Sequence, residues 1–192
     1  NGHLGGLMFP PMHEIVPPGT IGEARVDHYE VTEEELKLHN LRASIGRGDY
    51  MEPGKYARLT VGRELMMTDT VMERQSHSYV VRKAKGRCFV AGLGLGMIAC
   101  GLALKKDVTE IIVIEKSKDV IELVGSQIAK FSNKIKIIQA DIFTYKTKEK
   151  FDTIWFDIWP DICTDNLKEI ATLNRKFAKN KNPEAFRAAW ME

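Results

Sequence analysis

The sequence predicts an α/β fold in which a short parallel sheet is covered by helices on both faces. Near-continuous apolar runs, typical of strands buried on both faces, occur at 87–91, 110–115, 134–139 and 152–157. Helical segments near 96–105 and 117–130 separate the first three runs, and this alternation favours parallel pairing. After the fourth run one more helix is predicted, near 166–179, and no later segment reads as a strand. We therefore expect a sheet that is truncated after its fourth strand.

The chain of 192 residues is long enough for one such domain and a small N-terminal α+β extension. Four of the seven prolines lie within residues 7–20, which favours an extended segment. We divide the chain into a flexible arm or cloning remnant (1–20), an extension of strand, helix and hairpin (21–84) and the α/β domain (85–192).

The extension has clear local signals. Residues 24–31 read as a strand, and Thr32 with Glu35 forms a capping-box pattern that starts a helix running to about Ser44. Two apolar segments, 56–61 and 65–67, flank a short turn and predict a hairpin. A helix over about 71–83 then leads into the first parallel strand.

Composition limits the classes of function. Hydrophobic residues make up 44% and charged residues 28% of the chain, and the net charge is +2, which gives no general case for nucleic acid or an anionic membrane as partner. No segment approaches the roughly 20 apolar residues that a membrane span needs. The odd number of cysteines, three, favours reduced thiols and a cytoplasmic location. The histidines and cysteines show no metal-ligand spacing, so we predict no metal site.

The segment RCFVAGLGLG is the most informative part of the sequence. An apolar strand runs directly into Gly92, Gly94 and Gly96, and a helix follows. Glycines without Cβ atoms let a ligand lie against the backbone at a helix N-terminus. About twenty residues later the second strand ends in Glu115, whose carboxylate can accept hydrogen bonds from both hydroxyls of a ribose. Together these features predict a site for a nucleoside cofactor.

Two further carboxylates help to choose the cofactor. Counted from Gly94, the loop also fits the G-x-G-x-x-A pattern of dinucleotide sites, so the loop alone leaves NAD open. Asp141 and Asp157, however, follow the third and fourth strands, at the sheet edge where ligands bind in such folds. No second half-domain is predicted to hold a nicotinamide, and an acidic crevice suits a cationic ligand such as S-adenosylmethionine.

The run VAGLGLG…IIVIE…QAD…FDTIWFDIWP resembles the motif series of class I S-adenosylmethionine-dependent methyltransferases, which have a Rossmann-like fold. It is most similar to their spermidine synthase-like branch, and GRELMMTDTVMERQSHSYVV resembles the N-terminal β-unit and following helix of that branch. The resemblance covers about residues 55–170. It implies that the glycines cradle the methionyl end, that Glu115 holds the ribose and that Asp141 holds the adenine. The implied cofactor-binding set is Gly92, Leu93, Gly94, Gly96, Glu115, Lys116, Asp141, Ile142 and Asp157.

Two departures distinguish this chain from aminopropyltransferases of that branch. Leu95 stands where those enzymes usually have an aspartate in the glycine loop. Asp157 and Asp161 are also separated by one residue more than their Asp-x-x-Asp motif allows. Both differences weigh against aminopropyl transfer.

We expect methyl transfer to an unidentified small molecule, with three residues at the reacting end. Asp157 accepts a proton from the nucleophile or orients it, Trp159 forms an apolar wall that can face the sulfonium charge, and Asp161 pairs with a substrate amine. An aminopropyltransferase-like enzyme and a non-catalytic cofactor-binding or interaction protein remain the alternatives. The open edge of a short sheet also predicts a homodimer.

Overall fold

The computed structural model describes residues 8–44, 51–161 and 163–190. It contains two sheets: an antiparallel sheet of four strands in the N-terminal part and a parallel sheet of five strands in the C-terminal part. The α/β class with a helix-covered parallel sheet is therefore confirmed.

The N-terminal unit is an antiparallel meander with helices. Its described elements are, in chain order, α1 (Met12–Ile15), β1 (Gly19–Ile21), β2 (Ala24–Val31), α2 (Glu33–Ser44), β3 (Gly54–Val61), β4 (Glu64–Thr68) and α3 (Val71–Lys83). The sheet has the order β1-β2-β3-β4, and the predicted hairpin joins β3 to β4. The capping box is present, since the backbone N–H of Thr32 donates to the Glu35 carboxylate at 3.1 Å.

Residues 8–20, which the sequence placed in a flexible arm, contribute to the core instead. Phe9, Met12 and Val16 are at most 1% exposed. The backbone N–H of Met12 donates to the buried Asp69 carboxylate at 3.1 Å. Apolar side chains between the prolines bury enough surface to fix this segment, which composition alone did not reveal.

The elements of the C-terminal part are β5 (Gly86–Ala91), α4 (Met97–Ala103), β6 (Val108–Glu115), α5 (Lys118–Val120), α6 (Ser126–Phe131), β7 (Ile135–Gln139), β8 (Phe151–Phe156), α7 (Thr164–Lys176) and β9 (Lys181–Ala189). A π-helical turn (Ile121–Gly125) joins α5 to α6, and a 3₁₀ turn (Ala178–Asn180) precedes β9. The parallel sheet has the order β7-β6-β5-β8-β9, and all its neighbouring strands are parallel. Two apolar clusters cover its faces, one continuous with the N-terminal unit and one beneath α7.

The predicted truncation after the fourth strand is wrong, because β9 adds a fifth. Its sequence, KNPEAFRAA, contains Pro183, which has no N–H to donate, and Glu184 adopts a positive φ of 60°. Such residues are tolerated at a sheet edge and beside an irregular register, and the pairing of β9 with β8 is shifted near Phe151. Pairing with β8 therefore forms the strand despite a sequence pattern that does not predict one.

The strand order places a switch point between β5 and β8. The chain crosses from β5 toward β6 on one side and from β8 toward β9 on the other. Ligands of open α/β sheets bind in the crevice beyond the carboxyl ends of the strands at such a point. No helix in the described parts of the chain is both long and apolar enough to cross a membrane.

Candidate active site

A cavity of about 680 Å³ lies beyond the carboxyl ends of β5, β6, β7 and β8. The parallel sheet and its loops form one wall, and β3, β4 and α3 of the N-terminal unit form the other. Pockets for small ligands typically measure roughly 300–1,000 Å³. The cavity is therefore large enough for a cofactor and part of a second molecule.

The glycine loop contributes Gly92 and Gly94 to the cavity wall. Gly92 has a φ of 98°, and a Cβ atom there would collide with the carbonyl oxygen of Asp157. Gly94 has a φ of 53°, and its Cβ would lie 2.7 Å from the sulfur of Met67. Both positions need glycine for conformation and for space. The backbone of the glycine loop therefore faces the cavity directly, in space that a side chain would otherwise fill.

The other two residues predicted in this loop lie outside the cavity lining. Gly96 caps α4 with a φ of 79° and packs against Ile128. Leu93 is 5% exposed and belongs to the core. Its backbone N–H nevertheless contributes, since it donates to the carboxylate of Glu115. The loop therefore divides its residues between ligand-facing and packing positions.

Glu115, the last residue of β6, lines the cavity as predicted. Burial raises the pKa of its carboxyl group to about 7, although hydrogen bonds from the backbone N–H groups of Leu93 and Lys116 act in the opposite direction. A buried carboxylate gains from additional donors. The two hydroxyls of a ribose would supply such donors.

The loop after β7 brings Asp141 and Ile142 to the same cavity. Asp141 accepts a hydrogen bond from the backbone N–H of Phe143 at 2.9 Å and forms a 3.5 Å ion pair with Lys116. The ammonium of Lys176 on α7 holds this loop by donating to the carbonyl oxygens of Ile142 and Phe143. The loop is thus held by contacts with Lys116, which follows β6, and with Lys176 on α7.

Asp157, which follows β8, contacts a residue that the sequence did not place in the site. Its Oδ2 lies 2.9 Å from Nε2 of His77 on α3. The imidazole of His77 stacks on Trp190, with ring centroids 6.0 Å apart and an interplanar angle of 6°. Trp190 was missed because the strand that carries it to the cavity was not predicted.

The remaining two predicted catalytic residues lie in different surroundings. Trp159 is 7% exposed and lines the cavity, with its indole N–H donating to the carboxylate of Glu169. Asp161 is exposed and does not line the cavity, and its carbonyl oxygen accepts a hydrogen bond from Asn166. The structure thus brings Trp159 into the site with Asp157, but not Asp161.

The charge of the cavity is predominantly negative. Lys116 and His77 are the basic residues among its described lining residues. The acidic lining residues are Glu23, Glu64, Glu73, Glu115, Asp141, Asp157 and Glu169. This excess of carboxylates favours a cationic ligand. Within the described residues no group of three or more His, Cys, Asp or Glu side chains is arranged to hold a metal ion.

No protein-family model and no curated protein match the sequence. Solved structures with a partly similar chain path include the N-methyltransferase NodS from Bradyrhizobium japonicum WM9, with 19% identity, a TM-score of 0.49 and coverage of 63% of this chain and 68% of that one. A DhpI–SAH complex has 11% identity and a TM-score of 0.44, covering 60% of this chain and 52% of that one. A SAM-dependent methyltransferase from Geobacter sulfurreducens in complex with S-adenosyl-L-homocysteine has 14% identity and a TM-score of 0.48, covering 60% of this chain and 47% of that one.

The chain spans about half the length of two of these three proteins. With identities below 25% and TM-scores below 0.5, function has to be inferred from the cavity itself.

Proposed function

We propose that this protein is a methyltransferase that uses S-adenosylmethionine and acts on a small molecule. One observation carries the proposal: backbone of the glycine loop and the carboxylates of Glu115, Asp141 and Asp157 line a single cavity at the switch point of the sheet. These groups come from the ends of different strands, and each matches a different part of an adenosyl sulfonium.

The residues fit this cofactor in both shape and charge. Gly92 and Gly94 leave room for the methionyl portion, Glu115 offers its carboxylate to the ribose hydroxyls, and Asp141 with Ile142 provides a place for the adenine. When bound, S-adenosylmethionine supplies a methyl group on a positively charged sulfur. The acidic lining of the cavity stabilises that charge.

The chain's contribution to the reaction is positioning and exclusion of water. An in-line displacement at a methyl group needs the nucleophile aligned behind the carbon–sulfur bond, and much of the rate gain comes from that alignment. Asp157 would orient the nucleophile and accept its proton, while Trp159 and Trp190 shield the reacting end from solvent. Held by these residues, S-adenosylmethionine would donate its methyl group to the nucleophile and keep the electrons of the broken carbon–sulfur bond.

The wall opposite the glycine loop indicates the nature of the acceptor. Leu59, Met66 and Met67 provide apolar surface there, and Glu64 and Glu73 provide carboxylates. Anionic groups would be repelled by this wall, so we infer a neutral or cationic acceptor with an apolar part. Nucleic acid does not fit this requirement.

The relationship to the spermidine synthase-like branch is likewise a proposal. An antiparallel unit followed by α3 precedes β5, as the resemblance implies. The acidic cavity also favours a second candidate, aminopropyl transfer, since its donor and acceptor are both cationic. Leu95 in the glycine loop and the exposed position of Asp161 weigh against it. The two reactions give different products, S-adenosylhomocysteine for methyl transfer and methylthioadenosine for aminopropyl transfer.

Calorimetric titration with S-adenosylmethionine, S-adenosylhomocysteine and NAD tests the proposal. We expect the first two to bind and NAD to show no heat of binding. Glu115→Ala should weaken binding of S-adenosylmethionine at least roughly tenfold, since it removes a charged hydrogen-bond acceptor. Glu110→Ala, on the same strand but outside the cavity lining, is the matched control and should leave affinity unchanged. Absence of binding, or equal loss in both variants, would contradict the proposed site.

A cytoplasmic location and a homodimer also remain proposals. The supporting features are the free cysteines, of which Cys88 and Cys100 are buried, and the position of β7 and β9 as the outer strands of the parallel sheet, each paired with one neighbour among the described strands. Light scattering of the purified protein across a concentration series measures the oligomeric state. A monomer at all concentrations would exclude the dimer.

A further inference from the structure

We propose that His77 is a positioning residue that holds Asp157 in place as an imidazolium, through a proton on Nε2. The proposal rests on the proposed function only for its effect on turnover. The pairing itself follows from the hydrogen-bond partners of the two ring nitrogens.

The first ring nitrogen, Nδ1, must carry a hydrogen. It lies 2.8 Å from the carbonyl oxygen of Glu73, which can only accept. The hydroxyl of Ser76 lies 3.1 Å from Nδ1 and is itself directed to the same carbonyl, at 2.9 Å. Nδ1 therefore donates, and in a neutral imidazole the other nitrogen would be a bare acceptor.

The second nitrogen, Nε2, faces a carboxylate oxygen. Its distance of 2.9 Å from Asp157 Oδ2 is a hydrogen-bond length, and two acceptors without a proton between them would repel each other. Both ring nitrogens can donate to their oxygen partners when the ring is doubly protonated and Asp157 is ionised. Such charge-assisted hydrogen bonds are among the strongest in proteins.

The surroundings of the ring favour the cation. The groups facing His77 are the carboxylates of Glu73, at 3.6 Å from Nδ1, and Asp157, together with the faces or edges of Trp190 and Trp155. Burial lowers the pKa of His77, but the hydrogen bond and charge of Asp157 and the contacts with Glu73 outweigh it, so the net shift is upward. The flat indole of Trp190 stacks on the charged ring.

The consequence is a fixed orientation of Asp157. His77 occupies Oδ2, while Oδ1 has no hydrogen-bond partner among the described residues and belongs to a side chain that lines the cavity. His77 is only 1% exposed, so water does not compete for its hydrogen bond to Asp157. Oδ1 can then accept a hydrogen bond from the nucleophilic group of the methyl acceptor. The proton of that group moves to Asp157, while His77 keeps the proton on Nε2.

Loss of the His77 proton should release Asp157. Above the pKa of His77, Nε2 becomes a lone-pair acceptor facing a carboxylate, and the hydrogen bond is lost. This predicts a fall in turnover on the alkaline side that originates from His77. His77→Gln keeps an N–H donor but does not titrate, so it should retain turnover and lose that alkaline fall. His77→Phe keeps a ring without a donor, so it should lower kcat at least roughly tenfold below the pKa of His77, and its difference from the parent should shrink above that pKa.

Nitrogen-detected NMR of the histidine rings tests the pairing without any assay of turnover. We expect both nitrogens of His77 to be protonated at pH 7, and Asp157→Asn to lower the pH at which the ring titrates. An unprotonated Nε2 at pH 7, or an unchanged titration in Asp157→Asn, would overturn the proposal.

Kinetics and binding of the variants separate this proposal from the proposed function. His77→Phe should lower kcat while S-adenosylmethionine affinity stays within about threefold of the parent, and His77→Gln should restore kcat. His28→Gln is the matched control, because His28 binds the carbonyl oxygen of Val16 at 2.7 Å and lies outside the cavity lining. If the parent protein does not bind S-adenosylmethionine, the proposed function fails while the NMR result still decides the pairing. If binding is intact and His77→Phe turns over normally, only the positioning role fails.

Discussion

Glu115 shows how one residue couples folding to the candidate ligand. It ends a buried strand, and burial raises the pKa of its carboxyl group to about 7. In the unfolded chain the same group would titrate near 4.5. The folded protein therefore binds more protons than the unfolded chain between these values, and stability falls as pH rises through them. A ligand whose hydroxyls donate to this carboxylate would offset that loss.

Glu115→Gln should remove this pH dependence. Between pH 5 and pH 8 the free energy of unfolding of the parent protein should fall by roughly 2–3 kcal/mol more than that of the variant. Urea denaturation at several pH values measures the difference. Glu110→Gln is the control, since ion pairs with Lys136 and Arg87 lower the pKa of Glu110 and its effect lies at acid pH. Parallel pH profiles for the parent and Glu115→Gln would contradict the burial argument.

Gly92 and Gly62 both have a positive φ, and substituting each of them distinguishes the cost of a steric collision from the cost of backbone strain. A side chain at Gly92 would be strained and would also collide with backbone, whereas one at Gly62, with a φ of 62°, would meet nothing within 4 Å. Gly62→Ala should cost about 1 kcal/mol of stability. Gly92→Ala should cost clearly more, about 3 kcal/mol or above, because backbone must move. Equal losses in chemical denaturation would show that the loop can relax around a methyl group.

At the scale of elements, Asp69 ties three segments of the N-terminal unit together. This residue is fully buried between β4 and α3. Its carboxylate accepts from the backbone of Met12 and, at 2.7 Å, from that of Ala57 in β3. It also pairs with Arg74 of α3 at 3.3 Å. The helix that carries His77 is thereby fixed to the sheet that covers the cavity.

Asp69→Asn should destabilise the protein by about 3 kcal/mol, because an amide group replaces an oxygen that faces N–H donors and the partly buried Arg74 loses its charged partner. Asp27→Asn, at a partly exposed carboxylate paired with Arg25 and Arg58, should cost at most about 1 kcal/mol. Thermal and urea unfolding of both variants measures the difference. A loss at Asp69 as small as that at Asp27 would contradict its role as a hub.

At the scale of the molecule, the two sheets share one core. The apolar cluster on one face of the parallel sheet also contains residues of α1, β2 and β3. Gly101 on α4 has space for no side chain because Phe9 packs against it. The backbone N–H of Glu23 in the β1–β2 turn donates to Asp119 of α5 at 3.0 Å. The two units that form the walls of the cavity are therefore joined by a shared core and by a hydrogen bond.

Unfolding should consequently occur in one transition. Scanning calorimetry of the parent protein should give a single peak whose calorimetric and van't Hoff enthalpies agree. A saturating ligand of the cavity should move the whole peak to higher temperature. Two separate transitions, or a shift in only one of them, would show that the N-terminal unit folds independently.

Several features were predictable because their signals are local. The strands β5 to β8 have apolar runs, the β3–β4 hairpin has turn residues, and the start of α2 has a capping box. Gly92, Gly94, Glu115, Asp141 and Asp157 were predicted in the site because each follows directly from a strand end. Parallel strands place such ends at one edge of the sheet.

Other features depend on residues that are distant in the sequence. His77 and Asp157 are 80 positions apart, and no local pattern indicates that their side chains meet. β9 takes its conformation from backbone hydrogen bonds to β8, and it brings Trp190 to the ring of His77. Asp161, although close to Asp157 in sequence, lies on the exposed side of its loop.

The sequence by itself determined the α/β class, the glycine loop and the acids at the strand ends, because these depend on the conformation of short segments. Only the tertiary structure decided the fifth strand, the wall supplied by the N-terminal unit and the partner of Asp157. These features depend on long-range pairing and burial. The residues that stabilise them are distant in the sequence and come into contact only when the chain folds.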